Sequence, residues 1–520
     1  MPLEIGRLGH KVAASLDNID LVEASFLISS IYTQLLPRKT RSELGAFYTP
    51  PILAERLLDL VEAEGVDWSV VSVLDPACGG GAFLLHVARR VLLDDEVRSK
   101  GIDFQVDHLQ RCLTGIDLDP YAAWMAKSFL QMLTQPLCEQ LGRPLSLIIE
   151  VGDALDYVSR DTRCFDLIVG NPPYGRVRLG QSAREFFERS LFGHANYYSL
   201  FLDAALRWRN EGGWVAFVTP TSFLGGQYFS KLRALLELEA PLLVVDVVES
   251  RRQFFESVQQ ETCLAVFGSS LDSETQVNLL QLDEGELSIS QAGRFKSTST
   301  QGGPWFLPRT PEQALVAPAA LKLDTRLTDL GYRASTGPLV WNRHKDQLQE
   351  EASTDSYPLV WAEAVRSNVF QFKYNQRAKV PFLRVEDHQQ HLIMKSPCVL
   401  VQRTTAKEQR RRLVACALPD IFIAEWDGFV VENHVNVLVS EAEPVVSPAS
   451  LAAVLNTRAV DLAFRCLSGS VAVSATELSA LPLPELSVFH YVDEILNSGW
   501  SSERFKRIET LIASVYGVER

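Results

Sequence analysis

At 520 residues and 58.0 kDa the chain is too long for one ordinary core, so two or three domains are expected. With 47% hydrophobic and 22% charged residues it is globular rather than disordered, and a net charge of −14 excludes a protein coated in positive charge. No apolar run approaches the roughly 20 residues needed to cross a bilayer, and Met1 to Leu16 lacks the apolar core of a secretory signal, so a cytoplasmic protein without membrane contact is expected. The eight cysteines are scattered, with no C-x-x-C pair, which points to neither a zinc site nor a disulfide framework.

In chain order, residues 10–40 read as helical, with Leu21, Ala24, Ser25, Ile28 and Ile31 on one apolar stripe. Next comes Gly45-Ala46-Phe47-Tyr48-Thr49-Pro50-Pro51, and then a helix carrying Ile52, Leu53, Leu57, Leu60 and Val61. Thr49 suits its N-cap, with Pro50 at the first helical position. Val70 to Leu74 is a short β-branched run that ends in Asp75-Pro76-Ala77-Cys78-Gly79-Gly80-Gly81 and passes into a helix over Leu84 to Leu92. Strand, glycine-rich turn and helix form the first unit of a doubly wound fold, although this turn is neither a G-x-G-x-x-G fingerprint nor a phosphate loop.

The second strand, Cys112 to Ile116, ends at Asp117, where an acid commonly accepts from both ribose hydroxyls of a nucleoside. A third, Leu147 to Val151, leads to Asp153, which could accept from an adenine amino group. Each acid alone reads as a turn or N-cap residue. Three at successive strand tips read as a ligand site.

The fourth strand, Phe165 to Gly170, stops at Asn171-Pro172-Pro173-Tyr174, because two prolines lack the donor N–H and stiffen the turn. The side-chain oxygen of Asn171 and the backbone oxygen of Pro172 are two acceptors suited to an NH2 group, and Tyr174 offers a flat face for a planar ring. A ligand with ribose and adenine but no pyrophosphate, beside a pocket for an amino group, is what S-adenosylmethionine and a methyl acceptor require. The displacement needs positioning rather than a metal or a covalent nucleophile.

These motifs, in identity, order and approximate spacing over residues 40–270, resemble the amino-group DNA methyltransferases that form N6-methyladenine, the NPPY type of restriction-modification systems. The resemblance implies a Rossmann-like class I α/β catalytic domain followed by a mixed α+β target-recognition domain. The expected boundaries are a helical segment over 1–40, the catalytic domain over 41–280 and the recognition domain over 281–520. It further implies that Thr49, Asp75 and Ala77 lie around the methionine part of the cofactor and that Cys78, Gly79 and Asn171 also belong to the cofactor site. Asp117 then takes the ribose, Asp153 the adenine, and Asn171 with Pro172 the target nitrogen. Phe255, with Phe254 as runner-up, resembles the late aromatic that closes on a flipped base opposite Tyr174.

The implied partners are double-stranded DNA and a separate cognate endonuclease or defence subunits; the same pocket would also serve an RNA adenine or a protein glutamine. Basic clusters at Arg176, Arg178 and Arg184, at Lys231, Arg233, Arg251 and Arg252, and at Arg403, Lys407, Arg410, Arg411 and Arg412 leave room for phosphate contact, although each alone reads as a solvated face. In the second half Arg343, Arg403, Asn433 and His434 are candidates for phosphate or base-edge contact, after a linker or surface loop expected over Ser288 to Gly303.

Overall fold

The computed structural model describes residues 19–37, 40–41, 49–248, 261–269, 274–283, 286–296, 302–372, 379–404, 410–440, 444–467 and 472–518. It divides into two compact units, one of Met1–Phe223 with Tyr228–Arg294, the other of Leu224–Gln227 with Phe295–Arg520. Residues 281–294, expected to open the second domain, therefore fold with the first.

Among its described residues the first unit is built on a nine-stranded sheet and one small ladder, whose strands follow. In chain order they are β1 (Val73–Asp75), β2 (Leu113–Asp117), β3 (Ile148–Val151) and β4 (Phe165–Gly170), then a small separate ladder of β5 (Arg176–Val177) and β6 (Ala195–Asn196). They continue with β7 (Arg209–Pro220), β8 (Leu242–Val248), β9 (Thr262–Phe267), β10 (Glu274–Asp283) and β11 (Glu286–Lys296). The spatial order is β3-β2-β1-β4-β7-β9-β8-β10-β11, parallel from β3 to β7, with β9 antiparallel to both its neighbours. The chain runs outward from β1 to β3 and then returns to lay β4 on the other side of β1. That reversal opens a crevice beyond the carboxyl ends of β1 and β4, where open α/β sheets bind ligands.

The central strands are covered on both faces, which is why β4, β8 and β9 read as continuous apolar runs. Helix Ala82–Leu93 carries Phe83, Leu84, Leu85, Val87 and Val91 inward, and helix Pro51–Ala63 carries Leu53, Leu57, Leu58 and Val61. The latter packs on β7 and β9 and is tied to β8 by Arg56, whose Nε donates to Asp246 Oδ2 at 2.7 Å. The spacing between the first two acids is filled by helices Asp95–Ser99 and Ile102–Cys112.

Three expectations are corrected here. Helix Leu21–Leu35 buries Val22, Ala24, Ser25, Ser29 and Thr33 and leaves Ile31 49% exposed, because small residues let it lie close to helices Ala82–Leu93 and Pro120–Leu141. The stretch over 288–296 is no linker: it lies on edge strand β11, whose residues are mostly exposed. Arg233 is fully buried and donates to the Phe223 carbonyl at 2.7 Å, so it is no surface cation.

The second unit is α+β. A four-stranded antiparallel sheet orders Tyr332–Thr336, Val435–Ser440, Cys398–Gln402 and Ala415–Ala417, and helix Pro448–Leu455 packs on its last two strands. A five-stranded mixed sheet centres on Ser356–Val360. Helices Pro448–Leu455 and Arg458–Leu467 follow one another, with the chain turning at Asn456 and Thr457. No helix among the described residues is long and apolar enough to cross a membrane.

Candidate active site

The sequence-predicted residues meet at the carboxyl edge of β1, β2 and β4. Asp75 ends β1 and is fully buried. Its Oδ1 accepts from the Ala77 N–H at 3.1 Å, while Oδ2 has no hydrogen-bond partner among the described residues. Burial pushes its carboxyl well above the usual carboxylate range, and the nearby Asp117 adds to the rise.

Asp117 ends β2, half-buried, with Oδ2 accepting from Gly79 N–H at 2.8 Å and Oδ1 from Asp119 N–H at 2.8 Å. Desolvation lifts its carboxyl to about 6 against those two bonds. Two neighbouring acids, one of them with an oxygen unpartnered among the described residues, suit a ligand that brings hydroxyls and a cation. The turn between them is built to let one close: Gly79 and Gly81 take φ of 52° and 83°, which only glycine adopts freely, and Cys78 is buried with its N–H on the Ile116 carbonyl at 3.0 Å.

Asp153 follows β3 as the N-cap of the short helix Ala154–Tyr157, its Oδ1 accepting from Leu155 N–H at 2.9 Å. Its side chain is exposed at the rim, one strand away from Asp117, and burial of its surroundings still raises its carboxyl. This edge fits S-adenosylmethionine in its chemistry. The unpartnered buried oxygen of Asp75 could accept from an ammonium, Asp117 from hydroxyls and Asp153 from an amino group.

Asn171 leaves β4 beside this crevice. Its Nδ2 donates to Thr49 Oγ1 at 3.0 Å, and its Oδ1 accepts from the Tyr174 hydroxyl at 2.8 Å. The Tyr174 hydroxyl also lies 3.2 Å from the Val218 carbonyl, and its ring meets Tyr198 edge-on at 6.3 Å. Burial raises the Tyr174 phenol, so it stays protonated and acts as a donor. Pro172 is buried.

Thr49 is not the N-cap expected of it. Pro50 occupies that position without any side-chain bond to the helix, and Pro51 takes the first turn, so the Thr49 hydroxyl is directed elsewhere. Phe254 and Phe255 lie outside the described residues, as do Arg251, Arg252 and Lys407. Arg176, Arg178, Arg184 and Lys231 are exposed.

Gly170 and Tyr32 were missed by reading motifs. A Cβ on Gly170 would stand 2.7 Å from Asp75 Oδ1, so only glycine lets β4 pass the acid. A glycine just before Asn171 was visible, but its reason lay in a strand far away in sequence. The Tyr32 hydroxyl donates to Asp119 Oδ2 at 2.7 Å and ties the first helix to the Asp117 loop. Desolvation, with that carboxylate beside it, pushes its phenol up to about 12.

In the second unit Arg403 is spent on structure, Nη1 donating to the Asn433 carbonyl at 3.0 Å. Arg411 pairs with Glu509 at 2.8 Å. His434 Nδ1 lies 2.7 Å from an oxygen of the buried Glu432 and remains half-exposed, and Arg343 is exposed.

Residues 111–255 match the family model described as Eco57I restriction-modification methylase. The chain is 23% identical to a Type II methyltransferase, M.BsuBI, of Bacillus subtilis, over 92% of this chain and 96% of that one. It is 24% identical to the Type II methyltransferase M.PstI of Providencia stuartii, over 89% and 92%. Its fold is similar to that of the Type IIL restriction-modification enzyme MmeI, solved in complex with DNA, with a TM-score of 0.56 at 14% identity, over 95% of this chain and 79% of that one.

Proposed function

We propose that this chain, a restriction-modification DNA methyltransferase by the matches just given, is the adenine-specific modification enzyme of such a system, with duplex DNA as substrate and S-adenosylmethionine as methyl donor. The observation that carries the reading is the position of Asn171 at the tip of β4, beside Asp75 at the tip of β1, where the strand order reverses. When bound there, S-adenosylmethionine supplies an electrophilic methyl group on a good leaving group.

The chain's own residues hold the acceptor. Asn171 Oδ1 and the Pro172 carbonyl take the two hydrogens of the adenine amino group, which turns the nitrogen lone pair toward the methyl carbon. The nitrogen–carbon bond forms as the carbon–sulfur bond breaks, and the nitrogen then gives up one proton to solvent. Neither a metal nor a protein nucleophile has a part in that displacement.

In a duplex the amino group is paired, so the base must turn out of the stack at a cost of a few kcal/mol. Stacking on Tyr174 returns on the order of 1–3 kcal/mol. The balance near zero makes backbone contacts necessary, and these are the role we assign to the second unit.

The test is methyl transfer from labelled S-adenosylmethionine to duplex DNA, structured RNA and cell protein, each digested and its product identified. N6-methyladenine from DNA alone is the expected result. Label in RNA or glutamine with DNA untouched would overturn the substrate, and N4-methylcytosine would overturn the base.

A further inference from the structure

We propose that the small ladder of β5 and β6 is a phosphate clamp, in which Arg176 and Arg178 hold the backbone of the target strand beside the adenine that leaves the duplex. The inference rests on the methyl-transfer reading above and deepens it.

A grip on the duplex elsewhere does not fix the nucleotide that turns out of it. That nucleotide carries its own phosphates, and they move with the base. Arg176 is the second residue after Tyr174, at most about 7 Å along an extended chain. A base stacked on Tyr174 therefore brings the phosphates beside it to the ladder.

The ladder presents the right groups there. Its strands are antiparallel, with Arg176 opposite Asn196 and Val177 opposite the buried Ala195. Opposed residues share a face and successive residues alternate, so Val177 and Ala195 stand on one face and Arg176 and Asn196 on the other. Carried one residue further, the alternation adds Arg178 and His194 to the face of Arg176, and all three are exposed. In a chain of net charge −14, neither arginine side chain makes an ion pair or a hydrogen bond among the described residues. A guanidinium fork left open in this way matches the oxygens of a phosphate.

The same ladder is fastened to the base pocket. The Tyr197 N–H donates to the Gly175 carbonyl at 2.9 Å, which ties the end of β6 to the residue after Tyr174. Tyr198 then meets the Tyr174 ring edge-on at 6.3 Å and stacks on Phe229 at 5.2 Å. Beside Phe229, Tyr228 packs edge-on against His194 at 5.2 Å, and its ring lies so near Gly193 that a Cβ there would stand 2.9 Å away. Arg184 braces the same turn, Nη2 donating to the Gly193 carbonyl at 3.2 Å. One set of aromatic contacts thus supports both the ring under the base and the strands that carry the arginines.

The test begins with the unaltered protein, whose methylated adenines in bulk duplex DNA reveal its target sequence. Duplexes of that sequence are made with the phosphate on each side of the target adenine replaced, one at a time, by an uncharged methylphosphonate. Binding in the presence of S-adenosylhomocysteine is followed by fluorescence anisotropy over a salt series. The unaltered protein is expected to lose about tenfold in affinity at one or both replaced phosphates. The double variant Arg176→Ala with Arg178→Ala should lose less than about twofold on the same duplexes, because a contact already removed cannot be lost again. Its slope of log affinity against log salt should be lower by about 0.9 for each arginine removed. Arg176→Lys with Arg178→Lys keeps the charge and should keep the slope.

Both arginines are exposed, so the unfolding midpoint should not move in either double variant. An equal methylphosphonate loss in the unaltered protein and the alanine double variant overturns the proposal. So does an unchanged salt slope, or a loss of binding that follows a lowered unfolding midpoint. Failure of the wider reading is a separate result, in which the unaltered protein methylates no adenine in DNA, and the clamp falls with it.

Discussion

Gly170 passes Asp75 so closely that a Cβ on the glycine would stand 2.7 Å from the carboxylate's Oδ1. The acid cannot retreat cheaply, because it is fully buried and the same oxygen accepts from Ala77 N–H at 3.1 Å. Gly170→Ala is therefore expected to displace the carboxylate and open the turn that begins at Ala77. Its cost should be about 1–3 kcal/mol of stability, typical of overpacking. Calorimetry with S-adenosylhomocysteine should show affinity at least about tenfold weaker, since one position serves both strand packing and the site.

Asp117 carries a pH signature. Its folded carboxyl is lifted to about 6 from an ordinary 3.8, chiefly by desolvation. Between those values the unfolded chain has lost the proton and the folded chain keeps it. The stabilising contribution is thus fully present below 3.8 and is lost as pH rises through about 6. A ligand that donates hydroxyls to the carboxylate reverses the preference, because it binds the ionised form. Affinity for S-adenosylhomocysteine should therefore fall as pH drops through about 6, approaching tenfold per unit below it. In Asp117→Asn that slope should flatten and affinity should be low at every pH; an unchanged slope would assign the titration to another group.

Much of this site was legible because its chemistry sits at strand ends, where a run of β-branched residues stops at an acid or at Asn-Pro-Pro. Strand β8 lies over the buried apolar run Leu242–Val248. What escaped depends on neighbours distant in sequence. Thr49 has the profile of an N-cap, and only the position of Asn171 shows that its hydroxyl is committed elsewhere. Arg233 reads as a surface cation until the Phe223 carbonyl is found against it. The polar run over 288–296 passes for a linker because a mostly exposed edge strand uses the same residues.

The Arg56–Asp246 pair offers a stability test away from the chemistry. Asp246 is fully buried on β8 and also accepts from Asn278 Nδ2 at 2.6 Å, while Arg56 comes from the helix that carries Thr49 at its start. Removing one member strands the other's charge. Arg56→Leu should cost about 3–5 kcal/mol in chemical denaturation. The double variant Arg56→Leu with Asp246→Leu should recover a large part of that loss, since breaking a buried pair costs more than replacing it with apolar groups. Equal loss in the single and double variants would mean that the helix is held by its apolar face alone.

In the second unit two arginines that looked alike in sequence should behave differently. Arg403 donates Nη1 to the Asn433 carbonyl at 3.0 Å, and its own N–H bonds the His434 carbonyl at 2.8 Å, so its side chain braces the turn that presents His434. Arg343 is exposed in the short helical turn Trp341–Arg343. If the second unit grips duplex DNA as proposed, a phosphate contact releases a counterion and each one adds about 0.9 to the slope of log affinity against log salt. Arg343→Ala should thus lower that slope by about one while leaving the unfolding midpoint unchanged. Arg403→Ala should lower the midpoint and weaken DNA binding with no change of slope, because what it removes is a brace and not a charge on the backbone. Fluorescence anisotropy over a salt series, read beside thermal unfolding of each variant, separates the two roles. The opposite pattern would exchange them.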